Sequence, residues 1–145
     1  MSDVLTLSQV KVPGSARSKE DAIREAGGIL VDVGAVTPDY IDAMFEREKS
    51  VSTYMGNYLA IPHGTNESKE TIKRSALSVI RYDPAIDWDG NEVRFAIGIA
   101  GYEGGHMEIL SKVAILFSDT DEVDKLIAAR SSEELYALLN AVNED

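Results

Sequence analysis

Apolar residues change their spacing several times along the chain, and each change marks an element. Residues 7–12, Leu-Ser-Gln-Val-Lys-Val, have the composition of a strand, with Pro13-Gly14 supplying a turn after it. From Ser18 the spacing becomes helical. Ile23, Ala26, Leu30 and Val33 recur on one face, and Ser18 with Asp21 forms a capping arrangement at the start. Gly27 and Gly28 weaken that helix, by about 1 kcal/mol each relative to alanine, and a close helix-on-sheet contact is one reason to keep them. Gly34 ends the segment. A second helix begins at Thr37-Pro38-Asp39, with a hydroxyl cap, proline in the first turn and an acid near the positive end of the helix dipole. Its expected buried stripe is Ile41, Met44 and Phe45.

Residues 58–61, Tyr-Leu-Ala-Ile, form a strand-like run that stops at Pro62, His63 and Gly64. The polar stretch 67–74 has room for a short helical turn. Residues 76–82 and 92–100 then read as two strands, joined antiparallel by the Asp89-Gly90 turn signal. Trp88 beside that turn reads first as a packing residue and second as a contact residue. Beyond Gly104-Gly105, the residues Ile109, Leu110, Val113, Ala114, Leu116 and Phe117 mark a deeply buried helix, with His106 at or near its N-terminus. Val123, Leu126 and Ile127 line a further helix. Ser131 with Glu134 caps the last one, which is expected to bury Leu135, Leu138, Leu139 and Val142. The order β-α-α-β-β-β-α-α-α predicts a single α/β domain over residues 1–145, a three-layer sandwich with a small mixed sheet flanked by helices.

Composition narrows the chemistry. At 145 residues, 44% of them hydrophobic and 27% charged, the chain is long enough for one sizeable core and reads as globular. No apolar run approaches bilayer length, and Met1-Ser2-Asp3 lacks the features of a signal peptide, so direct membrane insertion is not expected and a cytoplasmic location is. The absence of cysteine excludes disulfides, thiolate metal sites and a cysteine nucleophile. A net charge of −11 without a Lys/Arg cluster argues against nucleic acid. It suits either steering of a basic partner protein or plain solvation.

Three places carry candidate chemistry. Pro62 fixes its own φ and biases Ile61 towards extended geometry, so His63 is placed at the lip of a sheet. Gly64 permits a close approach, and the backbone N–H groups of Gly64 and Thr65 and the Thr65 hydroxyl suit an anion. The local pattern alone fits an ordinary loop histidine better. Arg47 is either a surface partner for nearby glutamates or turns back towards His63, because residues 50–57 make a short connection. His106 is either a plain capping or surface histidine, or a neutral donor facing an anion at a helix N-terminus.

The run Ser52-Thr53-Tyr54-Met55-Gly56-Asn57-Tyr58-Leu59-Ala60-Ile61-Pro62-His63-Gly64-Thr65 resembles the phosphorylation-site segment of enzyme IIA of the mannitol/fructose class in the bacterial sugar phosphotransferase system. The likeness extends to Tyr40-Ile41-Asp42-Ala43-Met44 with Arg47, and to His106-Met107-Glu108-Ile109-Leu110-Ser111, and is strongest with the mannitol branch. It implies that His63 takes a phosphoryl group on Nε2 from the phosphocarrier HPr and yields it to a cysteine of the matching enzyme IIB during sugar uptake. Arg47 and His106 then contact phosphate, and Ser52, Thr53, Gly64 and Thr65 supply hydroxyl or backbone donors. A neutral imidazole near pH 7 needs no activating base, and one arginine without a lysine cluster suits reversible transfer. No cofactor and no metal are expected, and IIB and IIC are expected on other chains. Two positions depart from the family pattern: Asn57 replaces an acid found in some relatives, and Gly104-Gly105 replaces a polar and an acidic residue. Alternatives are a regulatory IIA of the nitrogen-related branch, a fructose-specific IIA, and a metal hydrolase using both histidines, for which the sequence lacks a close ligand pair.

Overall fold

The two longest strand patterns place apolar residues on both of their faces, so their sheet has to be covered on both sides. In the computed structural model, which describes residues 4–65, 70–102 and 105–143, these strands are β4 (Ala76–Trp88) and β5 (Asn91–Ala100), paired antiparallel. Asp89 and Gly90 both take positive φ in the connection, the geometry that Asp-Gly favours and that matches sheet twist. Strand β1 (Val10–Lys11) lies parallel to β4, and β3 (Leu59–Ala60) parallel to β5. Strand β2 (Tyr54–Gly56) runs antiparallel to β3, completing the order β1-β4-β5-β3-β2. Helices α1 (Lys19–Asp32) and α2 (Asp39–Ser50) come before β2, while α3 (Gly105–Leu116), α4 (Thr120–Ala128) and α5 (Ser132–Leu139) come after β5.

The alternation along β4 and β5 sorts the core into two layers. Leu77, Val79, Phe95, Ile97 and Ile99 face α3, α4 and α5, where Ile109, Val113, Phe117, Leu126 and Leu139 meet them. Ile80, Tyr82, Ala96 and Ala100 face α1 and α2, against Ile23, Leu30, Tyr40 and Met44. This is the expected three-layer mixed sandwich. Where α1 crosses it most closely, the sheet carries the small residues Gly98 and Ser78. A Cβ at Gly98 would come within 2.4 Å of Ser78 Oγ and 3.2 Å of Ala26 Cβ, and Ser78 Oγ donates to Ala26 O at 2.8 Å. The helix-on-sheet contact expected of Gly27 thus belongs to Gly98. Gly27 instead lets α1 approach α2, because its Cβ would stand 2.7 Å from Ile41 and 2.9 Å from Met44 Sδ.

Several expectations need correction. Residues 7–12 divide into a 3₁₀ turn at Leu7–Gln9 and the two-residue β1, because buried Gln9 turns its Nε2 onto the carbonyls of Val4 and Leu77. The run 58–61 is shortened to Leu59–Ala60: Asn57 and Tyr58 both have positive φ and close a tight hairpin with β2, a fifth strand that the pattern did not reveal. Thr37 does not cap α2. Its Oγ1 is buried without a partner, and the first turn is closed by its carbonyl, which accepts from Tyr40 N at 3.0 Å. The fully buried positions of α2 are Tyr40, Met44 and Glu48, with Ile41 and Phe45 only half-buried. Helix α3 is amphipathic rather than deeply buried, with Ala114 exposed and Met107 and Ile115 turned outward. Leu138 is also exposed. Trp88 is fully buried, a packing residue with its Nε1–H on Glu48. The predicted helical turn at 67–74 falls partly outside the described residues.

Candidate functional site

The carboxyl ends of the parallel strands β3 and β5 lie side by side, and three chain segments meet there. After β3 the chain continues extended through Ile61 and Pro62, and His63 makes one further parallel bridge with Ile99. Ile99 N donates to Pro62 O at 3.1 Å. The imidazole therefore stands at the lip of the sheet, half-buried. From the next turn of chain, Gly64 N donates to Tyr40 Oη at 2.9 Å, and Tyr40 Oη donates to Ile99 O at 2.6 Å. Burial pushes the Tyr40 phenol up to about 12, against the smaller opposing effect of the Gly64 N–H, so the hydroxyl keeps its proton and the bracket holds at neutral pH. The Gly64 N–H, expected to face an anion, is engaged by this bracket.

A backbone contact sets the tautomer of the ring. His63 Nδ1 lies 2.7 Å from Ile61 O. A carbonyl has no proton to give, so Nδ1 is the donor, and in the neutral ring the lone pair falls on Nε2. Burial lowers the His63 pKa below its ordinary value of 6.5. The Ile61 carbonyl opposes this, the Arg47 charge adds to it and the Glu48 charge works the other way. The imidazole is thus neutral near pH 7, with Nε2 its basic nitrogen.

Arg47 lies in the last turn of α2, with its Nη1 on Val51 O at 2.8 Å. Its charge reaches the His63 ring. Ser52 is exposed, and its Oγ accepts from Tyr54 N at 3.2 Å. Thr53 is committed elsewhere: it is buried, its Oγ1 donates to Glu48 Oε1 at 2.6 Å and its N–H to Glu48 Oε2 at 3.0 Å, so neither donor faces a phosphate. Thr65 is half-buried beside Gly64. Asn57, one of the two departures, donates through Nδ2 to Phe117 O at 2.7 Å. His106 is the second residue of α3, as its place after the paired glycines suggests. Its side chain and Gly104 lie outside the described residues. Tyr40 entered the sequence reading only as part of the family likeness and Glu48 was given no site role, because one looks like core and the other like a solvated helix charge.

A neutral imidazole with its lone pair on Nε2 and the Arg47 charge nearby has the chemistry to form and break one labile bond. The class is an α/β sandwich domain that holds an oriented, neutral histidine at the lip of its sheet. The model of one family, "Phosphoenolpyruvate-dependent sugar phosphotransferase system, EIIA 2", matches residues 3–142, and the chain belongs to that family. It is similar to the mannitol-specific phosphotransferase enzyme IIA component of Halalkalibacterium halodurans, at 52% identity over 97% of each chain. Among solved structures it resembles the crystal structure of IIA mannitol from Escherichia coli, with a TM-score of 0.85 and 32% identity over 93% of this chain and 98% of that one. It also resembles the IIA chain in a complex of enzyme IIA and phosphorylated enzyme IIB of the mannitol system from the same organism, with a TM-score of 0.86 and 31% identity over 93% and 96% of the two chains. The protein is an enzyme IIA, a phosphotransferase component acting as a phosphocarrier.

Proposed function

We propose that His63 carries the phosphoryl group on Nε2, receiving it from phospho-HPr and passing it to a cysteine of an enzyme IIB of the mannitol system. The observation that carries this reading is the Nδ1–H to Ile61 O contact, which leaves the lone pair on Nε2. In the forward step the Nε2 lone pair forms the new P–N bond while the donor's P–N bond breaks and its ring keeps the electron pair. No proton moves, because Nδ1 keeps its hydrogen throughout. The positive charge that develops on the ring is shared with the Ile61 carbonyl, and the Arg47 guanidinium faces charge on the peripheral phosphoryl oxygens. In the onward step a thiolate of IIB attacks phosphorus and the Nε2–P bond breaks, restoring the neutral ring. Arg47 and His106 stabilise the transferring group, with Ser52 and Thr65 the remaining candidates for hydrogen bonds to it.

The mannitol specificity of the relatives, and the IIA–IIB complex of one of them, support mannitol as the sugar and IIB as the acceptor. No helix among the described residues is long and apolar enough to cross a membrane, which accords with a cytoplasmic component that meets IIB and IIC on other chains. Reconstitution with phosphoenolpyruvate, enzyme I, HPr and a mannitol IIB/IIC preparation tests the reading. Mannitol phosphate should form only when this chain is present. Labelling of His63 with no flow to any IIB would refute the transport role and favour a regulatory IIA.

A further inference from the structure

Glu48 is the one acidic side chain in the buried polar set, 7% exposed, and it sits in the last turn of α2, where the helix dipole opposes a negative charge. Its contacts are three neutral donors: Trp88 Nε1 at 3.1 Å and Thr53 N at 3.0 Å on Oε2, and Thr53 Oγ1 at 2.6 Å on Oε1. Among the described residues no ion pair offsets its charge. For packing alone, an apolar residue at this position would avoid the desolvation cost. The contacts lead somewhere specific. Thr53 O accepts from Ile61 N at 3.0 Å, and the carbonyl of that same Ile61 accepts from His63 Nδ1 at 2.7 Å. An unbroken series of hydrogen bonds thus runs from the indole of Trp88 through Glu48, the Thr53 backbone and the Ile61 peptide to the imidazole. The His63 tautomer depends on where the Ile61 carbonyl lies, and that peptide is braced through Thr53.

We infer that Glu48 is a positioning residue for phosphoryl transfer, acting through Thr53 and Ile61 to hold His63 in the tautomer that exposes its Nε2 lone pair. The inference rests on His63 as the phosphoryl carrier, but its first test does not. Gln at position 48 can keep the brace: its carbonyl takes the Oε2 place and accepts from Trp88 and Thr53 N, while its amide donates to the Thr53 hydroxyl. Alanine removes every acceptor. Asp keeps the charge but withdraws it by one methylene.

The test has two arms on the full chain. Nitrogen-15 NMR of the unphosphorylated protein reads whether the His63 hydrogen sits on Nδ1 or Nε2. Labelling kinetics with phospho-HPr give the maximal rate and the KM for the donor. For Glu48→Ala and Glu48→Asp the expected result is a mixed tautomer signature and a maximal rate down about 10- to 100-fold, with donor KM within about threefold of the parent because the buried Glu48 side chain presents almost no surface to a donor protein. Glu48→Gln should restore the Nδ1–H signature and at least 10-fold of the rate lost in Glu48→Ala. If Glu48→Ala does not fold, Glu48→Asp gives the same comparison. A parental tautomer and parental rate in folded Glu48→Ala or Glu48→Asp would overturn the inference, as would failure of Gln to rescue. Absence of any label on the parent's His63 would instead strike the carrier reading, leaving the tautomer result to judge the brace alone.

Discussion

Acid should weaken this fold through one carboxylate more than any other described one. Glu25 on α1 gathers five donors: Lys11 Nζ at 2.6 Å, Ser15 N at 3.0 Å and Ser15 Oγ at 2.7 Å on Oε2, with Ala16 N at 3.2 Å and Tyr82 Oη at 2.7 Å on Oε1. They fasten the segment after β1 to α1 and to the middle of β4. Burial by itself raises the carboxyl pKa, but the bonds from Lys11, Ser15 and Tyr82 outweigh it and hold the group at about 2, against 4.5 ordinarily. That gap converts to about 3 kcal/mol, or about 2 kcal/mol once the Lys11 contact is discounted for its exposure. Because the folded pKa is the lower one, the contribution is fully present above pH 4.5 and is lost as pH falls towards 2. Glu25→Gln places an amide NH₂ among these donors, so at pH 7 it should be less stable by about 2 kcal/mol. Urea unfolding followed by the single tryptophan, the buried Trp88, measures both proteins between pH 3 and 7. Their difference should shrink as pH drops below 4.5. A difference that stays constant across that range, or none at pH 7, would refute the argument.

Other expectations concern the site and the close contacts behind it. Gly98→Ala should cost about 2 to 3 kcal/mol by urea unfolding, since the new methyl collides with Ser78 Oγ and disturbs its bond to Ala26 O; a change below about 0.5 kcal/mol would mean that the α1 layer can shift freely. Tyr40→Phe leaves Gly64 N–H without its acceptor and should lose about 1 to 2 kcal/mol together with slower labelling of His63; wild-type behaviour in both would remove the bracket from the account. Arg47→Ala and His106→Ala should slow labelling about 10- to 100-fold with circular dichroism unchanged, and unchanged rates would take them out of the site. The His63 pKa is lowered by burial and by Arg47, so the labelling rate should be flat above pH 6.5 and fall only at lower pH; a midpoint above 6.5 would contradict the neutral nucleophile.

Much of the architecture follows from spacing that the sequence displays openly. The Ser18 cap is formed by Asp21 N at 3.2 Å and the Ser131 cap by Glu134 N at 3.1 Å, while Gly34 takes φ 75 just past α1 and Asp89-Gly90 turns the β4–β5 hairpin. These features are local, and local chemistry is what a sequence shows. The position of His63 at a sheet edge was also legible, because Pro62 limits the backbone before it. The misses share a different cause. The β2–β3 hairpin turns on Asn57-Tyr58, where a tyrosine at φ 68 gives no compositional warning. Thr53 and Gly64 looked like phosphate donors until the partners that engage them, Glu48 and Tyr40, came into place from another element. The exposed Met107 and Ile115 of α3 show the same limit: their apolar character matched a core helix, and only the packing of α3 on one side of the sheet decides which face is covered.

The central claim concerns a single atom, Nε2 of His63. It is tested most directly by labelling the chain with phosphoenolpyruvate, enzyme I and HPr, then assigning the acid-labile phosphate by phosphorus and nitrogen NMR. The account predicts one phosphoryl group on Nε2 of His63, with the hydrogen still on Nδ1, and no label in His63→Ala. Phosphate on Nδ1, on another residue, or undiminished in His63→Ala would contradict it.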